Sequence, residues 1–225
     1  MKKYCLIIFS LIISCFILSS CSCNQDTNEL ENYVSELRYE LYEGKSDSYS
    51  LKAGYGYKEQ EYVNDGKVGK KIYALSFKLD GKHLAEQTYI LNFTYADKSY
   101  QGEFKLNPTK HSLTCDIIIE EFSCQSFTVE IGTLDTKETV TLSSIIPQGT
   151  LDYKEALSAL QKNQTELVES YYDSEGNFTA EIYQRILVKD GKAYWYIGFG
   201  TGNGKLKALL INGSSGEVLA IREVF

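Results

Sequence analysis

The chain has 225 residues and sets 30 acidic against 23 basic side chains, a formal charge of −7 with its two histidines neutral. That balance is a poor match for nucleic acid or anionic headgroups, which attract proteins through lysine and arginine. Two histidines and six cysteines also leave little material for Ser/His/Asp or Cys/His catalysis, and the length suits two small domains.

Residues 1–20 set the address. Met1-Lys2-Lys3 precedes the apolar run YCLIIFSLIISCFIL, residues 4 to 18, with Ser19 and Ser20 behind it. This is the layout of a secretory signal, and it stops short of the roughly 20 apolar residues that a spanning helix wants. The four residues Leu18-Ser19-Ser20-Cys21 resemble the lipobox of bacterial lipoproteins. The resemblance implies that Cys21 becomes the first mature residue and takes a diacylglyceryl group through its thiolate, with or without an N-acyl chain. Ile12-Ile13-Ser14-Cys15 fits a laxer form of the motif but would leave FILSS on the mature end, and Cys23 has Ser20 where the aliphatic residue should stand. Two or three acyl chains anchor firmly, because each buried methylene contributes about 0.8 kcal/mol. Losing residues 1–20 removes Lys2 and Lys3 and no acid, which takes the formal charge to −9. The expected location is the extracytoplasmic face of a cell membrane, with no cofactor beyond the lipid.

Residues 21–45 read as a tether followed by a helix. Asp26 or Thr27 can cap it, Glu29 stands in capping-box spacing, and Leu30, Tyr33, Val34, Leu37 and Leu41 form a one-sided stripe that ends near Gly44. Residues 46–146 change to short alternating runs beginning at Ser48, Lys71, Thr88, Tyr100, Ser112, Ser126 and Glu138. Asp65-Gly66, Asp80-Gly81, Ala96-Asp97-Lys98-Ser99 and Asn107-Pro108 supply turn chemistry between them. The spacing predicts an immunoglobulin-like β-sandwich. Within it Cys115 and Cys124 form a disulfide if their strands are adjacent, or else stay as two reduced, buried thiols. A metal shared by His111, Cys115 and Cys124 fails on distance, since four strand residues span about 13 Å; His83 reads as solvated.

Pro147-Gln148-Gly149 opens the last unit, residues 147–225. Asp152 caps a helix with Glu155 in capping-box position, and Tyr153, Ala156, Leu157, Leu160, Leu167, Val168 and Tyr171 make its apolar stripe. Four strand-like segments follow, Phe178 to Val188, Ala193 to Phe199, Leu206 to Ile211 and Glu217 to Val224. Asp190-Gly191, Asn203-Gly204 and Gly213-Ser214-Ser215-Gly216 turn the chain between them. The expected class is therefore α+β: an N-terminal helix, an immunoglobulin-like sandwich, then a helix packed on a four-stranded antiparallel sheet. The closing run AYWYIGFGTGNGKLKALLINGSSGEVLAIREVF resembles the end of PepSY-type domains, with Asn212 where many members carry an aspartate. That resemblance implies a small extracytoplasmic unit that modulates a peptidase or takes part in envelope sensing.

Two glycine-rich or acidic stretches carry no ligand chemistry. GFGTGNGK has Phe199 where a phosphate loop needs its first glycine and Leu206 where it needs a hydroxyl; DSEGN from Asp173 is too short for a calcium loop. On the last sheet Ala193, Trp195, Ile197 and Phe199 share a face with Phe178, Ala180, Ile182 and Val188 that is expected to cover the helix. Tyr183, Arg185, Tyr194 and Tyr196 point the other way, either as an interaction face of the composition favoured at interfaces or as packing against the sandwich. The expected function is a non-catalytic binding or regulatory module whose partner is another envelope protein or a peptidase. The competing classes are an envelope hydrolase using Asp116 and Glu120, themselves about 13 Å apart on a strand, and a solute-binding lipoprotein, for which the βαβ alternation of two-lobed receptors is missing.

Overall fold

The computed structural model of the protein describes residues 29–60, 68–80, 87–107, 112–202 and 204–224. The signal sequence, Cys21, Cys23, His83, His111 and the Asp65-Gly66 turn lie outside them. The nine strands of the first part are β1 Val34–Lys45, β2 Ser50–Glu59, β3 Lys71–Asp80, β4 Ile90–Tyr95, β5 Lys98–Glu103, β6 Lys105–Asn107, β7 Ser112–Ile118, β8 Ser126–Gly132 and β9 Lys137–Ser144. Helices α1, Tyr153–Asn163, and α2, Thr165–Glu169, follow. Then come β10 Glu181–Lys189, β11 Lys192–Gly200, β12 Leu206–Asn212 and β13 Val218–Val224.

This architecture corrects the α+β expectation. The chain is mostly β, and the thirteen strands among the described residues hydrogen-bond into one curled sheet in the order β13-β12-β11-β10-β1-β2-β3-β7-β6, with β9, β8, β4 and β5 branching from β1. The four C-terminal strands are not a closed four-stranded sheet, because β10 continues onto β1 in parallel register, Leu37 facing Gln184 and Arg38 facing Arg185. The other strand pairings are antiparallel.

The expected N-terminal helix is the element that fails. Residues 29–33 make one 3-10 turn and residues 34–45 are β1. Two register shifts explain the misleading pattern, one between Val34 and Glu36 against β10 and one between Arg38 and Glu40 against β2. Each bulge inserts a residue and breaks the period of two, so the fully buried Val34, Leu37 and Tyr42 fall at spacings of three and five. The first half of β1 lies beside β10, and Tyr42 and Glu43 near its end pair with β9. One strand thus belongs to both halves of the molecule.

The first half is sandwich-like. Strands β2, β3 and β7 turn Leu51, Ala53, Tyr55, Leu75, Phe77, Leu79 and Cys115 inward, and β4, β8 and β9 oppose them with Leu91, Phe93, Phe127, Val129, Ile131, Val140 and Leu142. Alternation sets this up, since Thr139, Thr141 and Ser143 between the inward residues of β9 are exposed. The β4–β5 hairpin turns on Ala96 and Asp97 at φ 48° and 60°, the mirror-image turn that suits twisted strands.

The second core joins α1 and α2 to β10–β13. Ala156, Leu157, Leu160 and Val168 pack with Ile182, Trp195, Ile197, Phe199, Leu209 and Ile211, and β1 adds Val34 and Leu37. Trp195 Nε1 donates to the Leu151 carbonyl at 3.0 Å, and Leu151 N donates to Gly213 O at 2.7 Å, which fixes the linker over the sheet. The capping box forms: Asp152 Oδ1 accepts from the backbone N–H groups of Lys154 and Glu155 at 2.8 Å each, and Glu155 Oε2 accepts from Asp152 N at 2.9 Å. Asp152→Ala is expected to lower the unfolding free energy by about 1 kcal/mol, read as a reduced urea midpoint at unchanged slope.

Candidate binding face and interlobe cleft

Along β10 the buried Ile182, Gln184 and Ile186 alternate with Tyr183, Arg185 and Leu187, so the latter three share the opposite face. The antiparallel register sets Arg185 across from Tyr196, Leu187 across from Tyr194 and Tyr183 across from Gly198. The four residues singled out from the sequence are not equally available. Tyr183 is 7% exposed and donates to Glu181 Oε2 at 3.2 Å, whereas Tyr194, Tyr196 and Arg185 are half-buried and Leu187 is exposed. Gly198 leaves room for its neighbour: a Cβ there would sit 3.4 Å from both Cε1 and the phenol oxygen of Tyr196.

β1 adds two residues that the sequence reading did not place here. Arg38 is the direct cross-strand partner of Arg185, and Glu36 lies beside both. Arg185 Nε donates to Glu36 Oε1 at 2.8 Å and its Nη2 donates to Oε2, a two-pronged pair, while Arg38 Nη2 stands 4.0 Å from Oε1. Glu36 has a side chain only 14% exposed, against 41% for Arg38 and 39% for Arg185. Arg38 extends over bare backbone, because a Cβ on Gly54 would lie 2.9 Å from its Cδ. Burial pushes the Arg38 guanidinium below its ordinary pKa and the Arg185 charge adds to this; Glu36 and Asp116 act in the opposite sense. The sequence signal was the pair Glu36 and Arg38 at a spacing of two, a strand-face spacing hidden inside a helix-like apolar stripe.

At the β1 bulge Tyr39 packs against both cores. Its ring centroid lies 5.6 Å from Tyr55 and 5.5 Å from Tyr153, and a depression opens on each side. One, of about 550 Å³, lies under the linker with Glu40, Ile146 and Tyr153 on its walls. The other, of about 800 Å³, has Tyr55, Tyr73 and Phe122 as floor and Lys71 and Glu120 at its rim. Lys71 Nζ stands 4.6 Å over the Tyr57 ring and 3.3 Å from its hydroxyl. Burial, helped by Glu40, pushes the Tyr39 phenol up to about 12, and burial moves Tyr42, Tyr55 and Tyr57 further the same way.

The remaining candidates stand apart. Cys115 and Cys124 are free thiols; Cys115 is buried on β7 and Cys124 is half-buried before β8. Burial, then Asp116, pushes the Cys115 thiol up to about 11, which suppresses the nucleophilic thiolate. Asp116 and Glu120 are exposed, and the Glu120 carbonyl accepts from Tyr55 Oη at 2.7 Å. Among the described residues no three His, Cys, Asp or Glu side chains are grouped to hold a metal ion. No protein-family model matches the chain, and no curated protein matches it.

Proposed function

We propose that the protein is an extracytoplasmic lipoprotein, held to the membrane by a diacylglyceryl group on Cys21, that works as a non-catalytic binding or regulatory module for another envelope protein. A peptidase or a sensor is the partner class in keeping with the PepSY-type resemblance. The observation that carries the reading is the accessible sheet face made by Arg38, Arg185, Tyr194 and Tyr196 with Leu187 at its side. Arginine and tyrosine dominate the energetics of protein interfaces, and a rigid sheet spanning both halves presents them without a cost in loop ordering.

Two measurements test this. Cells fed labelled palmitate should lose the label on the Cys21→Ala protein and release it from the membrane fraction; persistent labelling and membrane retention overturn the anchor. A photocrosslinker placed at Leu187, 43% exposed on the face, should capture a defined partner on living cells that the same probe at Leu134, 86% exposed at the β8–β9 turn, does not. Identical capture from both positions would remove the face as the binding surface.

A further inference from the structure

We propose that Arg38 and Arg185 form a recognition site for one oxyanion, a carboxylate or a phosphate, at the centre of this face. The inference rests on reading the face as a binding surface and names the chemistry it takes. Neighbouring strands lie about 4.8 Å apart, so cross-strand partners on β1 and β10 place two guanidinium stems side by side. Like charges set directly opposite each other on a sheet are destabilising, and Glu36 does not compensate the two equally. Both oxygens of Glu36 are engaged by Arg185, and Arg38 reaches that carboxylate only at 4.0 Å. Glu36 is thus a positioning residue: it holds the Arg185 fork still, and among the described residues Arg38 has only Oε1 of that carboxylate at 4.0 Å, with Asp116 acting on its charge from outside ion-pair distance.

The surroundings favour an outside oxyanion. Both arginines are about two-fifths exposed, open enough for a ligand to reach yet partly desolvated, and charge-assisted hydrogen bonds strengthen as water is excluded. A planar guanidinium meets a carboxylate or phosphate edge with two parallel donors, which a lysine cannot reproduce. Gly54 is part of the site, because any side chain there would displace the Arg38 stem. Tyr196 is the cross-strand partner of Arg185 on the side away from β1, and its ring leans over Gly198.

The test uses the intact lipoprotein in detergent at fixed ionic strength, with inorganic phosphate, acetate and a short peptide bearing a free or amidated C-terminus as probes and chloride as reference. Phosphate or carboxylate should raise the melting temperature saturably where chloride does not. Arg38→Gln should weaken the response by at least about tenfold, the worth of one charge-assisted hydrogen bond, while leaving the unliganded melting temperature unchanged or higher, because it relieves the charge repulsion and keeps the stem. Arg38→Lys should recover less than half of the response. Gly54→Ala, which keeps both arginines, should weaken it as well, and gives a second arm should Arg38→Gln fail to fold. A saturable response to the amidated peptide as large as those to the free acid and to phosphate, or an Arg38→Gln affinity within roughly twofold of the parent, overturns the site. Preference between phosphate and carboxylate identifies the source as a phosphorylated group or a peptide acid. Undiminished crosslinking from Leu187 without any anion response rejects the oxyanion site and leaves the binding face standing; an Arg38-dependent anion response without crosslinking supports the site and rejects the envelope-protein partner.

Discussion

Raising the pH through the range from about 10 to about 12 is expected to unfold this protein in one cooperative step. Four phenols drive it. Burial raises Tyr39 from 10.0 to about 12 and displaces Tyr42, Tyr55 and Tyr57 further in the same direction. In that window the unfolded chain has released these protons and the folded chain still holds them, so the unfolded state binds fewer protons and stability falls as pH rises. Each phenol contributes a slope of about 1.4 kcal/mol per pH unit as an upper value. Against a domain stability of about 5–15 kcal/mol, a handful of such groups suffices within about one to three units. Cys115 starts the decline earlier, since its thiol moves from 9.0 to about 11. The measurement is parallel pH titration by tyrosinate absorbance and far-ultraviolet circular dichroism. The share of the absorbance that belongs to these four phenols should appear together with loss of the β signal, and Tyr57→Phe should move the midpoint upward. Smooth ionisation of all the tyrosines near the ordinary value with the β signal intact would contradict the burial described here.

The same rings show what could be seen in the sequence and what could not. Period-two alternation marks Leu75, Phe77 and Leu79 or Val140 and Leu142 without outside help, and Asp152 with Glu155 announces a capping box that the backbone forms in full. These signals are local, so they survive any tertiary arrangement. The stripe Leu30, Tyr33, Val34, Leu37 and Leu41 fits a helix template equally well because two bulges shift β1 out of alternation. Bulges depend on partners, and the partner of its first half, β10, is almost 150 residues away: Arg38 faces Arg185 across a separation for which no turn or spacing leaves a trace. The α+β class fell with that helix and with the continuation of β10 onto β1, which merges the C-terminal strands into one sheet. Tyr183, Arg185, Tyr194 and Tyr196 were legible as one face from period alone, but Glu36 and Arg38, which change its charge chemistry, required the parallel pairing. The cleft around Tyr39 draws Tyr55, Tyr73 and Tyr153 from β2, β3 and α1, and only the fold brings them together.

Gly56→Ala is expected to be the most damaging single methyl group that can be added near this junction. Its Cβ would lie 1.8 Å from the Leu37 carbonyl oxygen and 2.8 Å from Arg38 Cα, and both are backbone atoms of the bulge where β1 passes from β10 towards β9. Backbone cannot rotate out of the way as a side chain can, so β1 must separate from β2 or the bulge must be rebuilt. Overpacking of this kind costs about 1–3 kcal/mol in a core that can adjust and more where it cannot; about 3 kcal/mol or more is expected here. Gly54→Ala is the control, because the atoms nearest its added methyl all belong to the flexible Arg38 side chain, Cδ closest at 2.9 Å, and it should cost less than about 1 kcal/mol. The chain holds a single tryptophan, Trp195, buried in the C-terminal core. Its fluorescence therefore follows that core, whereas circular dichroism follows the strands of both halves. In the parent protein the two urea transitions should coincide, as they do for a cooperative unit. In Gly56→Ala they should part, the strand signal falling first, because the strand that couples the halves has been loosened. Coincident transitions with a stability within about 0.5 kcal/mol of Gly54→Ala would mean that β1 does not couple the two cores, and the rigid placement of Arg38 beside Arg185 would lose its foundation.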